Sequence, residues 1–129
     1  MAERRNKTRR SAAGYYVVFD VQKDQPLGKV VNLSEDGMML TSSDPVEIDR
    51  LYNCRMALPD QLLDRRLIIF EARSIWSRRN DLANVYQTGY QFQEVSPKDM
   101  EVLRLLIQSW AVETPGTAKT VIDWKSCDK

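Results

Sequence analysis

Six short runs rich in β-branched and aromatic residues, each closed by turn residues, fill the chain between Gly14 and Ser96. They are GYYVVFDV from Gly14, GKVVNLS from Gly28, GMMLTS from Gly37, LYNCRMALP from Leu51, DRRLIIFEARSIWSRR from Asp64 and VYQTGYQFQEVS from Val85. Short β-prone runs at such intervals predict an all-β barrel or sandwich. The turns between them carry Pro26 and Gly28, then Ser34-Glu35-Asp36-Gly37, then RNDLAN around Asp81. LYNCRMALP is expected to end at Pro59, because proline breaks a strand ladder. After Val95 the period changes. Ser96-Pro97-Lys98-Asp99 supplies a cap, a proline for the first helical position and an acid for the first turn. Met100, Leu103, Ile107 and Trp110 then recur at helical spacing, with Leu106 beside them. An amphipathic helix packed on the β domain is expected, closed by Pro115 and Gly116.

The 129 residues suit one domain with a real core, and the mean composition is that of a globular protein. No apolar run reaches the ~20 residues that a membrane helix needs, and the polar start holds no secretory core, so a cytoplasmic protein without membrane insertion is expected. Two cysteines, Cys54 in a strand run and Cys127 in a polar tail, form no disulfide framework, which also suits a reducing compartment.

The chain contains no histidine. That removes the commonest general base and the commonest metal ligand. No CxxC pair, phosphate-binding glycine loop or GxSxG elbow is present either. The expectation is a protein that is not an enzyme and takes no metal or cofactor.

Charge is concentrated at one end. Residues 1–10 hold five basic residues and one acid, net +4; the chain is +1, so the remainder is −3. A nucleic-acid domain spreads basic residues over a face. Here a basic arm precedes a slightly acidic body, which favours a small anionic target or a solvated tail over a nucleic-acid partner.

Two patterns carry chemistry. Arg5-Asn6-Lys7-Thr8-Arg9 places two arginines four apart, and Asn32-Leu33-Ser34-Glu35-Asp36-Gly37 is an N-x-S-x-x-G at a strand-to-strand turn. Two guanidinium forks on one side can meet a phosphate bidentately, or a guanine at O6 and N7. Asn32 and Ser34, at alternate positions, are expected on one strand face, offering an amide and a hydroxyl. Gly37 tolerates a positive φ and leaves room for close approach. Alone, either pattern is an ordinary basic segment or hairpin turn.

In combination they resemble the PilZ domain family, receptors for the bacterial second messenger cyclic di-GMP. The resemblance rests on Arg5 and Arg9, then Asn32, Ser34 and Gly37. The lead-in Glu3-Arg4-Arg5 and the later ARSIWSRR and VYQTGYQFQEVS before a proline-started helix add to it. It implies a six-stranded antiparallel β-barrel with a C-terminal helix packed on it, residues 14–112. A flexible basic arm, 1–13, would precede it, and a tail, 113–129, would follow.

The resemblance further implies cyclic di-GMP as ligand, held by Arg4, Arg5, Arg9, Asn32, Ser34 and Gly37, with Trp76 stacking on a guanine. Trp76 is read equally as a core residue. Arg78 or Arg79 would add charge at the rim. Glu35 and Asp36 are expected to point to solvent, away from phosphate. Gly89 is read as structural, and Met38 and Met39 as packing. The arm would order on ligand and signal to a downstream protein partner. A PilZ-like adaptor independent of nucleotide and a small-barrel nucleic-acid binder are the alternatives.

Overall fold

The computed structural model describes residues 10–12 and 14–110, with Pro59 and Asp60 described in backbone only. Its elements in chain order are β1 (Arg10–Ser11), β2 (Val17–Asp20), β3 (Gln25–Leu33), β4 (Gly37–Ser42), β5 (Leu51–Leu62), β6 (Arg65–Asn80), β7 (Val85–Val95) and α1 (Pro97–Ser109). The order β3-β2-β5-β6-β7-β4 closes on itself through a β3–β4 ladder, and every pairing is antiparallel. Closure pairs the two outer strands of the sheet, β3 and β4, with each other. The fold is therefore mainly β, a closed six-stranded antiparallel barrel with one C-terminal helix.

Strand β1 lies within the segment read as the arm. It pairs Arg10 with Leu33 and Ser11 with Asn32, on the edge of β3 that β2 follows further along. Backbone bonds from Ala12 N to Val31 O and from Val30 N to Tyr16 O, both 2.9 Å, keep this stretch on β3 between the two strands.

Alternation decides which side chains point inward. Val18, Val30, Leu33, Met38, Leu40, Cys54, Met56, Ile68 and Tyr90 are buried in one cluster. Each large apolar side chain so placed contributes about 1.5–3 kcal/mol. Val102, Leu103, Leu106 and Ile107 of α1 belong to the same cluster, so the helix shares the barrel core. Ser96 caps α1 as expected, its Oγ accepting from Asp99 N at 3.1 Å, with Pro97 following. Asp99, itself buried, pairs with Arg65 at 3.1 Å and joins α1 to β6.

Two expected boundaries move. The helix stops at Ser109, before Pro115 and Gly116 are reached, because Trp110 turns extended (φ −96°, ψ 156°) and packs its ring on Tyr16, 5.0 Å between centroids. Strand β5 does not end at Pro59 but runs to Leu62. Its register with β6 slips between Ala57 and Leu62, and a proline lacking an N–H is tolerated where the ladder is already broken.

Candidate functional site

Asn32 of the second motif lies on the outer face of the barrel, in one row with Trp76. Ser11 stands opposite Asn32, Asn32 opposite Met39, Met39 opposite Gly89, and Gly89 opposite Trp76. This is one lateral row across β1, β3, β4, β7 and β6. With strands about 4.8 Å apart, Asn32 and Trp76 are separated by roughly 14 Å. Their neighbours Leu33, Met38 and Tyr90 point the other way, into the core.

Two bulges set this row. The β3–β4 register shifts between Val30 and Asn32, and the β6–β7 register shifts between Ser74 and Trp76. Each leaves an extra residue, Val31 and Ile75, and both pack on a small second cluster formed by Met39 and Trp76. A bulge re-aims the side chains beyond it. Trp76 is thus buried, at 4% exposure, yet belongs to this outer cluster and not to the barrel core. Its indole Nε1 is buried without a hydrogen-bond partner among the described residues. Gly89 lies between Met39 and Trp76 and contributes no side chain to the row. Met39 and Gly89, read from sequence as packing and structural residues, are floor positions of this row; only the register shows it.

The turn carrying the second motif is built by its own side chains. Ser34 N donates to Gly37 O at 2.9 Å, and Ser34 Oγ accepts from Asp36 N at 3.2 Å. Asp36 O accepts from Phe92 N at 2.9 Å, which ties the turn to β7. Ser34 is buried, but it sits one residue past β3, in the turn, so it does not extend the strand face of Asn32 as expected. Gly37 begins β4 opposite Gln91, and no described glycine has a positive φ. The positive φ that Gly37 tolerates is thus not used: the residue is extended because β4 starts there.

Glu35 and Asp36 are half-buried rather than directed to solvent. Glu35 Oε1 lies 3.3 Å from Arg104 Nε of α1, so a helix cation balances the acid beside the motif. A depression of about 290 Å³ borders this turn, lined by Glu35, Asp36, Gln91, Phe92 and Met100. A cleft of about 450 Å³ lies at the other end of β3, lined by Lys23, Lys29, Thr41, Glu47, Arg50 and Tyr52. It holds none of the motif residues, and Arg50 is paired there with Glu47.

Of the arginines named from sequence, Arg4, Arg5 and Arg9 lie outside the described residues. Arg78 is exposed on β6. Arg79 bonds to Asp81 and Asn84 and lies over the Tyr86 ring. Arg10 has a role that the sequence did not signal. Its guanidinium donates to the carbonyl of Trp110 at 3.0 Å and of Gln108 at 3.4 Å, at the end of α1. Cys54 offers no nucleophile: burial pushes its thiol up to about 12. Burial likewise raises the Tyr90 phenol. Among the described residues no three His, Cys, Asp or Glu side chains gather to hold a metal, and no helix is long and apolar enough to cross a membrane.

A family model, the PilZ domain, matches residues 3–109, which takes in both arginines of the first pattern and all of the second. The chain belongs to the PilZ domain family. Solved structures agree on the fold. The PilZ domain of YcgR from Escherichia coli, with c-di-GMP, superposes at a TM-score of 0.65 with 20% identity, over 83% of this chain and 91% of that one. The inhibitor of motility MotI (DgrA) from Bacillus subtilis gives 0.63 and 16%, over 82% of this chain and 50% of that one. The c-di-GMP complex of MrkH from K. pneumonia gives 0.61 and 16%, over 81% and 53%. This PilZ chain thus spans about half the length of MotI and of MrkH. No curated protein matches its sequence.

Proposed function

We propose that this PilZ domain is a receptor for cyclic di-GMP, without catalytic activity, in which Arg5 and Arg9 close onto a ligand resting against Asn32, Ser34, Gly37 and the outer row toward Trp76. The observation that carries the reading is the β1–β3 register. Ser11 pairs with Asn32, so the chain that bears Arg9 two residues earlier joins the barrel at the motif floor. The family match over both patterns and the likeness to the c-di-GMP complexes of YcgR and MrkH support it.

The physical balance is favourable. Ordering a short arm costs about 1–2 kcal/mol per residue. Each charge-assisted hydrogen bond from a guanidinium fork returns about 1.5–3 kcal/mol, and base stacking on an aromatic ring about 1–3. Several such contacts offset the ordering and leave an affinity near the micromolar level, roughly −8 kcal/mol. The ordered arm then presents a new surface to a downstream protein partner in the cytoplasm. A nucleotide-independent adaptor would have no use for the Arg5 and Arg9 forks. A nucleic-acid binder would show steep salt dependence and competition by an oligonucleotide.

The test is a calorimetric titration of cyclic di-GMP into wild type, Arg5→Ala and Arg9→Ala. Micromolar binding by wild type and a loss of tenfold or more in each variant, with unchanged melting, is expected. Wild-type affinity in both variants would overturn the assignment.

A further inference from the structure

The outer face of β2, β5 and β6 carries an apolar patch away from the motif row. Phe19 stands opposite Arg55 and Arg55 opposite Ile69; two positions along, Ala57 stands opposite Leu67. Val17 precedes Phe19 by two positions and shares its side. Val18, Met56 and Ile68, which alternate with these residues, point into the core. Ile69 is 56% exposed and Leu67 41%. Large apolar side chains so exposed at alternate positions of one strand, with exposed Ala57 beside them, form a contiguous surface rather than scattered single residues. Strand β7 does not reach them, since its ladder with β6 begins at Phe70 opposite Val95. The Asp99 carboxylate accepts from Ile69 N at 3.4 Å, so α1 meets the backbone here and leaves the Ile69 side chain open. Arg55 lies over the Phe19 ring, 4.9 Å from its centroid, and pairs with Asp24, which leaves Leu67 and Ile69 as the uncovered side of the patch.

The described chain ends beside this patch. The Trp110 ring packs on Tyr16, 5.0 Å between centroids, and Tyr16 is the covalent neighbour of Val17. Strand β2 is two strand spacings from β6, about 10 Å. Residues 111–129 lie outside the described residues. Their sequence gathers Val121, Ile122 and Trp124 within four positions, after a run from Ala111 to Thr120. At about 3.3 Å per residue that run spans up to about 33 Å, more than the patch requires.

We infer that the segment Val121–Trp124 of the same chain docks on this face, with Ile122 and Trp124 against Leu67 and Ile69. Positions two apart in the segment match positions two apart on β6. Val17, Phe19, Ala57, Leu67 and Ile69 fall short of the roughly 20–30 residues a side that join separate proteins stably. A tethered segment needs far less, because its linker holds it at a high effective concentration beside the patch. The occupant is therefore this chain's own segment and not a second copy.

The test is a disulfide trap in the full chain. Cys127 lies three residues past Trp124, and Cys54 is buried and does not compete. Leu67→Cys is compared with Leu82→Cys, a fully exposed position at the β6–β7 turn, under the same mild oxidant with peptide mapping. Position 67 is expected to join Cys127 within one molecule at least about tenfold faster than position 82, and Trp124→Ala to remove the advantage. Equal rates at the two positions would overturn the inference. Links formed only between separate molecules would also overturn it and assign the face to a second copy. Methyl NMR spectra give a second reading without introduced cysteines. Trp124→Ala is expected to move the Leu67 and Ile69 signals, through loss of the indole ring current, and to leave Leu82 in place. Unmoved Leu67 and Ile69 signals would overturn the docking. Neither measurement involves cyclic di-GMP, so the result is independent of the receptor function.

Discussion

Arg10 Nη1 donates to the carbonyl oxygen of Trp110 at 3.0 Å, joining the first described strand to the last residue of the helical segment. The last turn of α1 contains no basic residue of its own, so a cation from elsewhere in the chain faces the negative helix end. The same strand pairs with the Asn32 edge of the candidate site. Arg10→Ala is expected to lower stability by about 1–2 kcal/mol, from the lost charge-assisted bond and dipole contact. Urea denaturation measures the change, and faster amide exchange confined to β1 and the last turn of α1 locates it. Exchange unchanged in both places would show that the contact carries no stability.

Ser34 is expected to serve the fold as well as the ligand. Its Oγ accepts from Asp36 N at 3.2 Å inside the motif turn. Ser34→Ala leaves that amide without its partner and should cost about 0.5–1.5 kcal/mol even in the absence of nucleotide. Ser34→Thr keeps a hydroxyl and should recover most of it. Thermal melting of the ligand-free variants checks both; an alanine variant as stable as wild type would confine the hydroxyl to ligand contact.

Cys54 gives a pH dependence of known sign. Burial raises its thiol from 9.0 to about 12. The folded protein therefore holds the proton that the unfolded chain releases. The associated stability is fully present below pH 9 and is lost as pH climbs toward 12, by about 1.4 kcal/mol per unit in that window. Tyr90, raised by burial as well, adds to the slope above about pH 10. Cys54→Ala is expected to be less stable at pH 7, from the cavity, but to fall less steeply between pH 9 and 10. In native wild type at pH 8, peptide mapping after brief alkylation should find Cys54 unmodified; rapid labelling would contradict the burial.

Much of the architecture was legible in the chain because it depends on local rules. Val18, Met38 and Leu40, Ile68 and Tyr90 alternate with polar or outward residues, and alternation is a direct consequence of strand geometry. Ser96 and Pro97 marked the helix start, since capping is satisfied within one turn. Glu35 was misread for the opposite reason. Its partner, Arg104, lies 69 residues away on α1, and no local rule reports a charge arriving from a distant element. Pro59 was misread as a stop because the register slip that accommodates it belongs to the pairing of β5 with β6, not to either strand alone.

The candidate site divides along the same line. The residue types able to meet phosphate and guanine, two arginines four apart and an Asn-x-Ser-x-x-Gly turn, are covalent neighbours, and their chemistry travels with the sequence. Which other residues stand beside them is a matter of lateral register. Met39, Gly89 and Trp76 come from three strands and join Asn32 on one outer face because bulges at Val31 and Ile75 shift their alternation. The sequence alone determined a β-rich domain with a terminal helix and a cationic leading segment. Only the closed barrel decided which outward side chains share a row, because hydrogen-bonded pairing between strands distant in the chain, unlike periodicity along one strand, is settled by the packing of the whole.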